Sequence, residues 1–547
     1  MRLQARVTAG AYLDDIFVVA RPDVVAQWVA RLNQELGARG TNLVAADPKQ
    51  VVYVPRTSTV SLALLPREWR VVRDGTVFLG SPVGPVNFQA AHWQAMSDRD
   101  VHVVRSLQRM RERQSQMLLL RFCCNSRVNF MLRASPPVAC LAAAARHDEV
   151  VRERLVDMAE AMGEHIAPLD VTMPLRAGGL GMPEAVAVAP AAFLGAVNDA
   201  AQQVVKVFPD LPCFGGPVPV APDSELVVQV TDAMAMVAEA VGGCPAEPLP
   251  HTWQDIGALD RELQKRLTDA VARRAAALGP QVSEEVRARR LSQAQRGSAA
   301  VWMAIPSEPA LTLDNHDLTV TLRHYLGLSI VPQAEAHLMC RCGKCPLCTV
   351  HVLSCQETNG RTDRHNGMRD EAGELAGASG WPVTVEPRGW RNLGDNSGPD
   401  LFLLGYFGGS VGAAVDVTVV SPLVTSNVHR AATVPLATCV AAERAKVAKY
   451  AEALAGDNAR VLPLAFETTG AFGQGVLDFI DTCQKRYEST VLSTTFSSYG
   501  DTWTAVSFAD YWSQRLAVRL RKGNAQMAAR VRAAAVGAAW HVLRVSV

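Results

Sequence analysis

The sequence predicts a multidomain protein of mixed α and β structure (α+β). Its 547 residues exceed the roughly 250 to 300 residues that a single hydrophobic core usually reaches. Short apolar segments of strand length occur near the N-terminus and again after residue 380, whereas the sequence between them has the apolar spacing of helices. A dense group of cysteine and histidine residues separates the helical middle from the second strand-rich region.

The composition is that of an ordinary globular protein. Apolar residues make up 49% and charged residues 20% of the chain, which argues against intrinsic disorder. The net charge is only +1, so any affinity for nucleic acid must come from local basic surfaces. The 12 cysteines cluster, which favours a reducing compartment over a disulfide scaffold. We find no signal-peptide pattern and no stretch of about 20 apolar residues, so we expect a nuclear or cytoplasmic protein that is not secreted and has no membrane partner.

Six candidate ligands for a soft metal ion lie within sixteen residues. Four such ligands make a closed tetrahedral zinc site, so the six compete for four places and several assignments are open. Reduced cysteines without a metal are the alternative, but clustered thiols are prone to oxidation. We therefore expect a structural zinc ion that stabilises a segment with little apolar content. The six candidates are Cys340, Cys342, Cys345, Cys348, His351 and Cys355.

Two adjacent aspartates lie between two short apolar segments near the N-terminus. The segments on either side of Asp14 and Asp15 have strand length, which predicts a hairpin with an acidic tip between residues 9 and 20. Aspartate is common in turns because it bonds to its own backbone, so an ordinary turn is the alternative to a metal-binding pair. A helix-like segment at 24–36, a strand at 51–54 and the sequence Val77-Phe78-Leu79-Gly80 follow.

This succession resembles the second half of a reverse-transcriptase palm. The residues that carry the resemblance are Tyr12, Leu13, Asp14, Asp15, Phe78, Leu79 and Gly80, with a looser match at Asn42 and Lys49. A polymerase palm needs a further aspartate on an upstream strand to bind two metal ions, and eleven residues precede Tyr12. We therefore expect a partial palm, in which Asp14 and Asp15 are the remnant of a polymerase site that would bind Mg²⁺ only if completed.

The pattern of residues 97–135 predicts a long amphipathic helix. Apolar residues recur at helical spacing on one face, and arginines lie on the remainder. The same resemblance makes this region the helical thumb, whose arginines would contact template and primer phosphates. The solvated basic face of a core helix is the alternative. The arginines that we select as nucleic-acid ligands are Arg105, Arg109 and Arg113.

The sequence after the cysteine cluster predicts the element order helix, three strands, helix, strand. Asp400 precedes an apolar run and Asp416 lies within a β-branched run, so the two aspartates fall on successive predicted strands. Buried carboxylates at strand positions are costly unless they are paired or bind a cation, so the pair predicts a Mg²⁺ site. The predicted elements are a helix at 364–379, strands at 381–386, 399–405 and 413–420, a helix at 438–455 and a strand at 461–466.

This element order resembles the core of restriction-like nucleases, and the chain as a whole is similar to the C-terminal part of site-specific non-LTR retrotransposon proteins. Arg364-His365-Asn366 resembles the tripeptide that precedes the family's first nuclease helix, which gives His365 a supporting role. In that family a zinc knuckle lies between the reverse transcriptase and the endonuclease. Its spacing implies that the zinc ligands are Cys340, Cys342, His351 and Cys355.

The resemblance also implies the residues of the endonuclease. Asp400 and Asp416 would hold Mg²⁺, with Glu386 or an acid of the preceding helix as a candidate third ligand. The common nuclease pattern has a lysine two residues after the second carboxylate, where this chain has Thr418. A lysine on the following helix takes over in the retroelement enzymes, which implies that Lys446 stabilises the transition state. A solvated Lys/Glu helix face is the alternative.

The predicted organisation has six segments and nucleic-acid partners. We expect an Mg²⁺-dependent endonuclease that nicks target DNA, joined to an incomplete RNA-directed DNA polymerase and bound to retroelement RNA. The alternatives are a catalytically inactive nucleic-acid-binding remnant and a host-domesticated structural protein. The segments are a partial palm at 1–90, a helical thumb at 91–208, a helical spacer at 209–335, a zinc knuckle at 336–360, a restriction-like endonuclease at 361–490 and a C-terminal helical extension at 491–547.

Overall fold

The computed structural model has mixed α and β structure, with long helices and small sheets. The residues that it describes are 8–12, 15–40, 51–59, 61–63, 65–67, 69–207, 210–242, 252–259, 262–278, 282–388, 398–454, 458–490 and 502–545. Asp14, in the predicted acidic tip, lies outside these ranges. None of the helices within them combines the length and the apolar character that a membrane crossing requires.

In its described residues, the N-terminal region contains three two-stranded sheets and one helix. The predicted hairpin is present, because β1 (Thr8–Tyr12) pairs antiparallel with β2 (Asp15–Val19) and Tyr12 lies opposite Asp15. The next elements are α1 (Pro22–Gly37), β3 (Val51–Tyr53), β4 (Arg70–Val72), β5 (Thr76–Phe78) and β6 (Ser81–Val83). Strand β3 pairs in parallel with β4, and β5 pairs antiparallel with β6. Two-stranded sheets need packing partners, and the rings of Phe17 and Phe78 provide one such contact at 4.7 Å.

The following region is helical, but residues 97–135 do not form one helix, so that prediction is wrong. The elements are α2 (Val86–Ser106), α3 (Arg113–Leu119), a π-helical segment (Leu120–Cys124), α4 (Asn129–Ala134), α5 (Pro137–Met158), α6 (Pro168–Thr172) and α7 (Ala185–Val207). Asn315 stabilises the break between α2 and α3. Its side chain accepts a hydrogen bond from the Arg113 N–H at 2.9 Å and donates one to the Arg111 carbonyl at 2.8 Å. These bonds satisfy backbone groups that a continuous helix would pair internally.

The described part of the predicted spacer begins with α8 (Glu225–Val241), α9 (Leu263–Leu278) and α10 (Glu284–Gln293). Ser283 caps α10, since its Oγ accepts a hydrogen bond from the Val286 N–H at 3.3 Å. Helices α7, α8 and α9 share an apolar cluster of their own, to which Phe193, Val230 and Leu267 contribute. This part of the chain therefore forms a separate small helical core.

Buried basic side chains surround the next helix, α11 (Asn315–Tyr325). Arg289 of α10 pairs with Asp170 at 2.7 Å, and both side chains are almost fully buried. His324 is fully buried near Arg521, Arg289 and Arg364. Burial and these three cations lower the pKa of His324 to about 3. The imidazole is therefore neutral in the folded protein at neutral pH.

The neutral state of His324 predicts that acid destabilises the protein. The pKa of an ordinary histidine is 6.5 and that of folded His324 is about 3, so only the unfolded chain binds this proton between these values. The stabilisation is fully present above about pH 6.5 and is lost as the pH falls toward about 3, at about 1.4 kcal/mol per pH unit. Between about pH 7 and about pH 5, urea unfolding should show a loss about 2 kcal/mol larger for the wild type than for His324→Gln. Equal losses in the two proteins would contradict this assignment.

The segment that contains the cysteine cluster has one short helix, α12 (Thr349–Val352). The elements after it are α13 (Gly360–Ala378), β7 (Val383–Val385), β8 (Leu401–Leu403), β9 (Gly412–Val420), α14 (Thr425–Ala431), α15 (Ala437–Ala451), β10 (Ala459–Glu467) and α16 (Gln474–Thr490). They follow the order expected from the sequence, with the short helix α14 added before α15. The strand bounds differ from the expected ones by at most a few residues.

The four strands β7 to β10 form one mixed sheet in the order β10-β9-β8-β7. Strand β10 is parallel to β9, whereas β8 is antiparallel to both of its neighbours. Val415 and Val417 pack in the main core with Met368 of α13 and Phe479 of α16. Ala414 packs instead with Tyr450 of α15. Because side chains alternate along a strand, Asp416 lies on the same face as Ala414 and therefore faces α15.

The C-terminal helix α17 (Phe508–Val545) is central to the packing of the chain. Its first half enters the same apolar cluster as the helices before residue 330 and the sheet of β7 to β10, with Trp512 and Leu520 nearly fully buried. Its middle part packs against the cysteine segment through Ala525, Ala528 and Val531. The helix thus joins three regions that are far apart in the sequence.

Candidate functional site

Four of the six candidate zinc ligands lie together. The ligand atoms of Cys340, Cys342, His351 and Cys355 are all within 4.8 Å of one another. The Sγ atoms of Cys340 and Cys355 are 3.6 Å apart, and Sγ of Cys342 is 3.4 Å from Nε2 of His351. A disulfide would bring two sulfurs to about 2.05 Å, so both thiols are free.

These distances fit a tetrahedral zinc ion. With Zn–S bonds of about 2.3 Å and Zn–N bonds of about 2.0 to 2.1 Å, tetrahedral angles separate two sulfurs by about 3.8 Å and a sulfur from a nitrogen by about 3.6 Å. Both observed separations lie about 0.2 Å below these values. Three cysteines and one histidine also form a donor set that structural zinc sites use. The cluster could therefore hold zinc as a closed, four-coordinate site.

Short backbone bonds hold the four ligands in place. The Cys340 N–H donates to the Cys345 carbonyl at 3.1 Å, and the Leu347 N–H donates to the Leu338 carbonyl at 2.9 Å, which makes a tight turn around the first two cysteines. The Cys355 N–H donates to the His351 carbonyl at 2.8 Å and fixes the other pair. The turn therefore presents two of the ligands, and α12 with the residues that follow it presents the other two.

Cys345 and Cys348 lie outside the four-ligand cluster. Cys348 is exposed, whereas Cys340 and Cys355 are buried in the apolar contact with α17. Burial raises the pKa of Cys340 to about 12, so its thiolate requires a nearby cation. The pKa of Cys342 is lowered, chiefly because its sulfur accepts a backbone hydrogen bond at Lys344.

The second candidate site lies where β8 begins beside β9. Leu401 is opposite Val415 in the antiparallel register, so Asp400 and Asp416 occupy the next positions along the two strands. The Asp400 N–H donates to the Val415 carbonyl at 2.9 Å. The Oδ2 atom of Asp400 accepts a hydrogen bond from the Val417 N–H at 2.6 Å, which ties this carboxylate to β9. The fold thus brings the two aspartates to adjacent positions at one end of the pairing.

Each aspartate also contacts a basic side chain. His365 of α13 places Nε2 2.9 Å from Oδ1 of Asp400. Lys446 of α15 places Nζ 2.6 Å from Oδ1 of Asp416. Asp416 is almost fully buried, whereas Lys446 retains 27% side-chain exposure and so connects the buried carboxylate with solvent. The predicted helix therefore supplies an amine at the second aspartate.

Tyr450 completes the environment of Asp416. Its hydroxyl oxygen lies 2.7 Å from Oδ2 of Asp416 and 2.9 Å from the Gly398 carbonyl, and the hydroxyl proton can bond to one of them at a time. Burial is the main cause that raises the pKa of Tyr450, and the bond to Asp416 adds to it, so the phenol stays protonated. Lys449 donates to the same hydroxyl at 3.2 Å. Both oxygens of Asp416 are thus engaged by α15.

Two glutamates, one buried and one half-buried, fix the orientation of α15. Glu467, at the end of β10, is 1% exposed and accepts hydrogen bonds from the Thr438 hydroxyl and the Cys439 N–H at the start of the helix. Glu443 of α15 accepts a hydrogen bond from the Gly475 N–H of α16 at 3.1 Å. Burial raises the pKa of both glutamates. These contacts set the register that brings Lys446 to Asp416.

Glu386 contacts Asp400 through its backbone. The Glu386 N–H donates to the Asp400 carbonyl at 2.9 Å. Its own φ of 45° lies in the left-handed region, which turns the chain out of β7. The carboxylate is 67% exposed and paired with Arg369 of α13. A role for Glu386 as third metal ligand stays a prediction.

The three predicted nucleic-acid ligands in the helical region lie on different elements. Arg105 ends α2 and pairs with Glu153 at 3.1 Å. Arg113 begins α3 and pairs with Glu160 at 2.6 Å. Arg109 is exposed in the turn between the two helices. Two of the three positive charges are therefore partly neutralised by acidic neighbours, and a phosphate would compete with these for the guanidinium groups.

The comparisons with known proteins do not assign a family. No protein-family model matches the chain, and no curated protein matches it. The resemblance to retrotransposon proteins therefore depends on the short motifs and on their order along the chain.

Several residues at the two sites had weak signals or no signal in the sequence. Tyr450 follows Lys446 by four residues, so a shared helix face was predictable, but its bond to Asp416 was not. Glu467 is a single acidic residue after a strand and carries no motif. Arg364 belongs to a recognised tripeptide, yet its contacts with the cysteine segment depend on the folded structure. The sequence indicated the residue types at the sites better than their partners.

Proposed function

We propose that the chain is a metal-dependent DNA endonuclease derived from a non-LTR retrotransposon protein. The observation that carries the proposal is the pair of Asp400, directly before β8, and Asp416 of β9 at adjacent positions, with Lys446 of the following helix 2.6 Å from Asp416. A hydrolytic nuclease needs carboxylates that bind a metal ion, and a nearby amine can stabilise negative charge in the transition state. The motif succession in the sequence supports the retrotransposon origin.

The residues divide the work of phosphodiester hydrolysis among them. Asp400 and Asp416 would hold Mg²⁺, which lowers the pKa of bound water and neutralises charge on the phosphate. Their oxygens are already hydrogen-bonded or ion-paired, but each carboxylate oxygen has two lone pairs, so one remains for a cation. Lys446, which reaches solvent, would stabilise the negative charge that develops on the phosphate in the transition state. Tyr450 and His365 would hold the carboxylates in place.

The partners that we propose are duplex DNA as the target and retroelement RNA as a second ligand. A zinc ion in the knuckle (Cys340, Cys342, His351 and Cys355) would stabilise the segment before the nuclease. Exposed Arg109 and the ion-paired Arg105 and Arg113 are the candidate phosphate contacts in the helical region. The hairpin of β1 and β2, with Asp15 at the start of β2, would belong to a reverse-transcriptase palm, whose two-metal site needs a further aspartate.

A nucleic-acid-binding protein without turnover is the second candidate. One observation favours it: among the described residues, the knuckle is the sole group of three or more Cys, His, Asp or Glu side chains whose ligand atoms lie close enough to share an ion. The two aspartates alone would bind Mg²⁺ weakly unless the DNA phosphate or water supplies the remaining ligands. Mg²⁺ commonly keeps several waters and takes one or two carboxylates, so the site is compatible with catalysis.

A nicking assay distinguishes the endonuclease from a nucleic-acid-binding protein without turnover. We expect the purified chain to convert supercoiled circular DNA to the open circular form in the presence of Mg²⁺ or Mn²⁺, and EDTA to stop the conversion. The same preparation should shift labelled duplex DNA in a gel in the absence of a divalent ion. DNA binding without conversion in either metal would select the inactive nucleic-acid-binding protein.

A further inference from the structure

Arg364 of α13 contacts both the knuckle and α17. Its guanidinium Nη1 donates to the Leu353 carbonyl at 3.1 Å and to Oδ1 of Asn524 at 2.9 Å. Leu353 follows α12 directly and lies between the zinc-ligand positions His351 and Cys355. The one side chain therefore joins α13 to the loop that carries half of the zinc ligands.

Arg364 is an expensive residue to bury. Arg364 is 4% exposed, its Nε has no hydrogen-bond partner among the described residues, and no carboxylate within the described ranges forms an ion pair with it. Burial lowers the pKa of Arg364 to about 10, which reflects this unfavourable environment. A buried charge held only by two neutral oxygens depends strongly on each of them. If the hydrogen bond to the Leu353 carbonyl were broken, the guanidinium and the turn of α13 that carries it would have to move.

The first turns of α13 also connect to the nuclease aspartates. His365 is the next residue after Arg364, and its Nε2 lies 2.9 Å from Oδ1 of Asp400. On the other side, Asn524 donates to the Thr468 carbonyl at 2.8 Å, and the Thr468 N–H donates to the Val420 carbonyl at the end of β9. Both aspartate-bearing strands are therefore reached from Arg364 through one or two hydrogen-bonded groups.

We propose that the zinc knuckle positions the nuclease site, and that Arg364 is the positioning residue through which it does so. Zinc binding orders the His351–Cys355 loop, and the Leu353 carbonyl then fixes the start of α13 and, with it, His365 against Asp400. The consequence for metal affinity and cleavage rests on the proposed endonuclease function. The ordering of α13 by zinc does not, so it is tested separately.

Hydrogen–deuterium exchange on the full chain measures the ordering directly. The protein is compared with Zn²⁺ bound and after removal of Zn²⁺ by a zinc-selective chelator, with Zn²⁺ added back as the reversal. We expect amides of residues 360–366 to lose protection by about 10-fold or more on zinc removal, together with the knuckle. Helix α5, whose helical neighbours are α2, α3, α4 and α7, should keep its protection.

Two outcomes of this experiment would overturn the proposal. One is a loss of protection confined to the knuckle at residues 338–355. The other is an equal loss in α5, which would mean that zinc stabilises the whole fold without a specific link to α13. Neither outcome depends on catalysis, so the experiment decides the link even if the protein does not cut DNA.

Variants at Arg364 test whether this residue connects the zinc knuckle with α13. Arg364→Met should retain one zinc ion per chain and should show the exchange of residues 360–366 that the zinc-free wild type shows. If the nicking assay is positive, the apparent dissociation constant for Mg²⁺ should rise by about 10- to 100-fold in this variant. Removal of zinc from the variant should raise that constant little further. The control is Arg530→Met, which removes an exposed ion pair with Asp363 between the same two helices. If Arg364→Met left the exchange pattern and the apparent dissociation constant for Mg²⁺ unchanged, Arg364 would not be the residue that links the knuckle to the nuclease site.

Discussion

Asp416→Asn is expected to reduce Mg²⁺-dependent nicking of duplex DNA by about 10³-fold or more while the chain stays folded. Asparagine has the shape of aspartate and an oxygen that can still accept the Tyr450 hydroxyl bond, but it lacks the charge that would hold the metal ion. Lys446 loses its 2.6 Å partner and, because it reaches solvent, is left without a severe penalty. Asp400→Asn should give a loss of the same order, since the two carboxylates would share one ion.

The measurement is the initial rate of open-circle formation at several Mg²⁺ concentrations. Asp481→Asn is the matched control, because it removes the same charge from an exposed pair with Lys485 on α16 in the same region. The control should cut at the wild-type rate. Circular dichroism of all three variants establishes that they are folded. Undiminished nicking in both Asp400→Asn and Asp416→Asn would eliminate these residues as metal ligands and move the chemistry elsewhere in the chain.

The elements of the nuclease region were predictable because their apolar spacing is local and strong. Val415, Val417 and Val419 alternate with Asp416 and Thr418, and this alternation indicates a strand that has the valines on one face and Asp416 on the other. The pattern could not show which residue would meet Asp416 from the other side. That depends on the orientation of α15, which the carboxylates of Glu443 and Glu467 fix through long-range contacts.

The helical region was harder to predict because distant residues decide where its helices end. The apolar spacing across residues 97–135 fits one helix, and Val101, Val104 and Met117 are indeed buried. The break after Ser106 is stabilised by Asn315, which is 202 residues away from Arg113 in the chain. Helical periodicity carries no information about such a partner. The central place of α17 was missed for the same reason, since its contacts join regions that are remote in sequence.

The spacing of cysteine and histidine residues predicts the zinc knuckle but does not select its four ligands. Six candidate ligands were present in the sequence, and the residues alone left several sets of four open. The fold brings Cys340, Cys342, His351 and Cys355 within 4.8 Å of one another, whereas Cys345 and Cys348 lie apart from them. The difference comes from the turn closed by the Cys340 and Leu347 backbone bonds and from burial against α17, neither of which is encoded in the spacing.

Loss of the zinc ion should be the most destabilising change in this part of the chain. Cys355→Ser replaces a buried thiolate ligand with a poor one, so the free energy of zinc binding no longer contributes to folding. Structural zinc sites bind with about 10 to 16 kcal/mol at neutral pH, and we expect the variant to lose more than about 4 kcal/mol of unfolding free energy. The loss should appear as a separate early transition in urea unfolding, because the knuckle has its own apolar cluster with α17.

Cys348→Ser is the matched control for the zinc site, since this exposed cysteine lies in the same segment but outside the four-ligand cluster. It should bind one zinc ion per chain and unfold like the wild type. Substitution of Co²⁺ for zinc gives a second readout, because a tetrahedral Cys₃His site has intense visible absorption that Cys355→Ser should lose and Cys348→Ser should keep. If both serine variants retained the metal and its spectrum, the four-ligand set would be wrong. If Cys348→Ser lost them and Cys355→Ser did not, zinc would bind the alternative thiols, and the burial of Cys355 against α17 would then be a packing contact only.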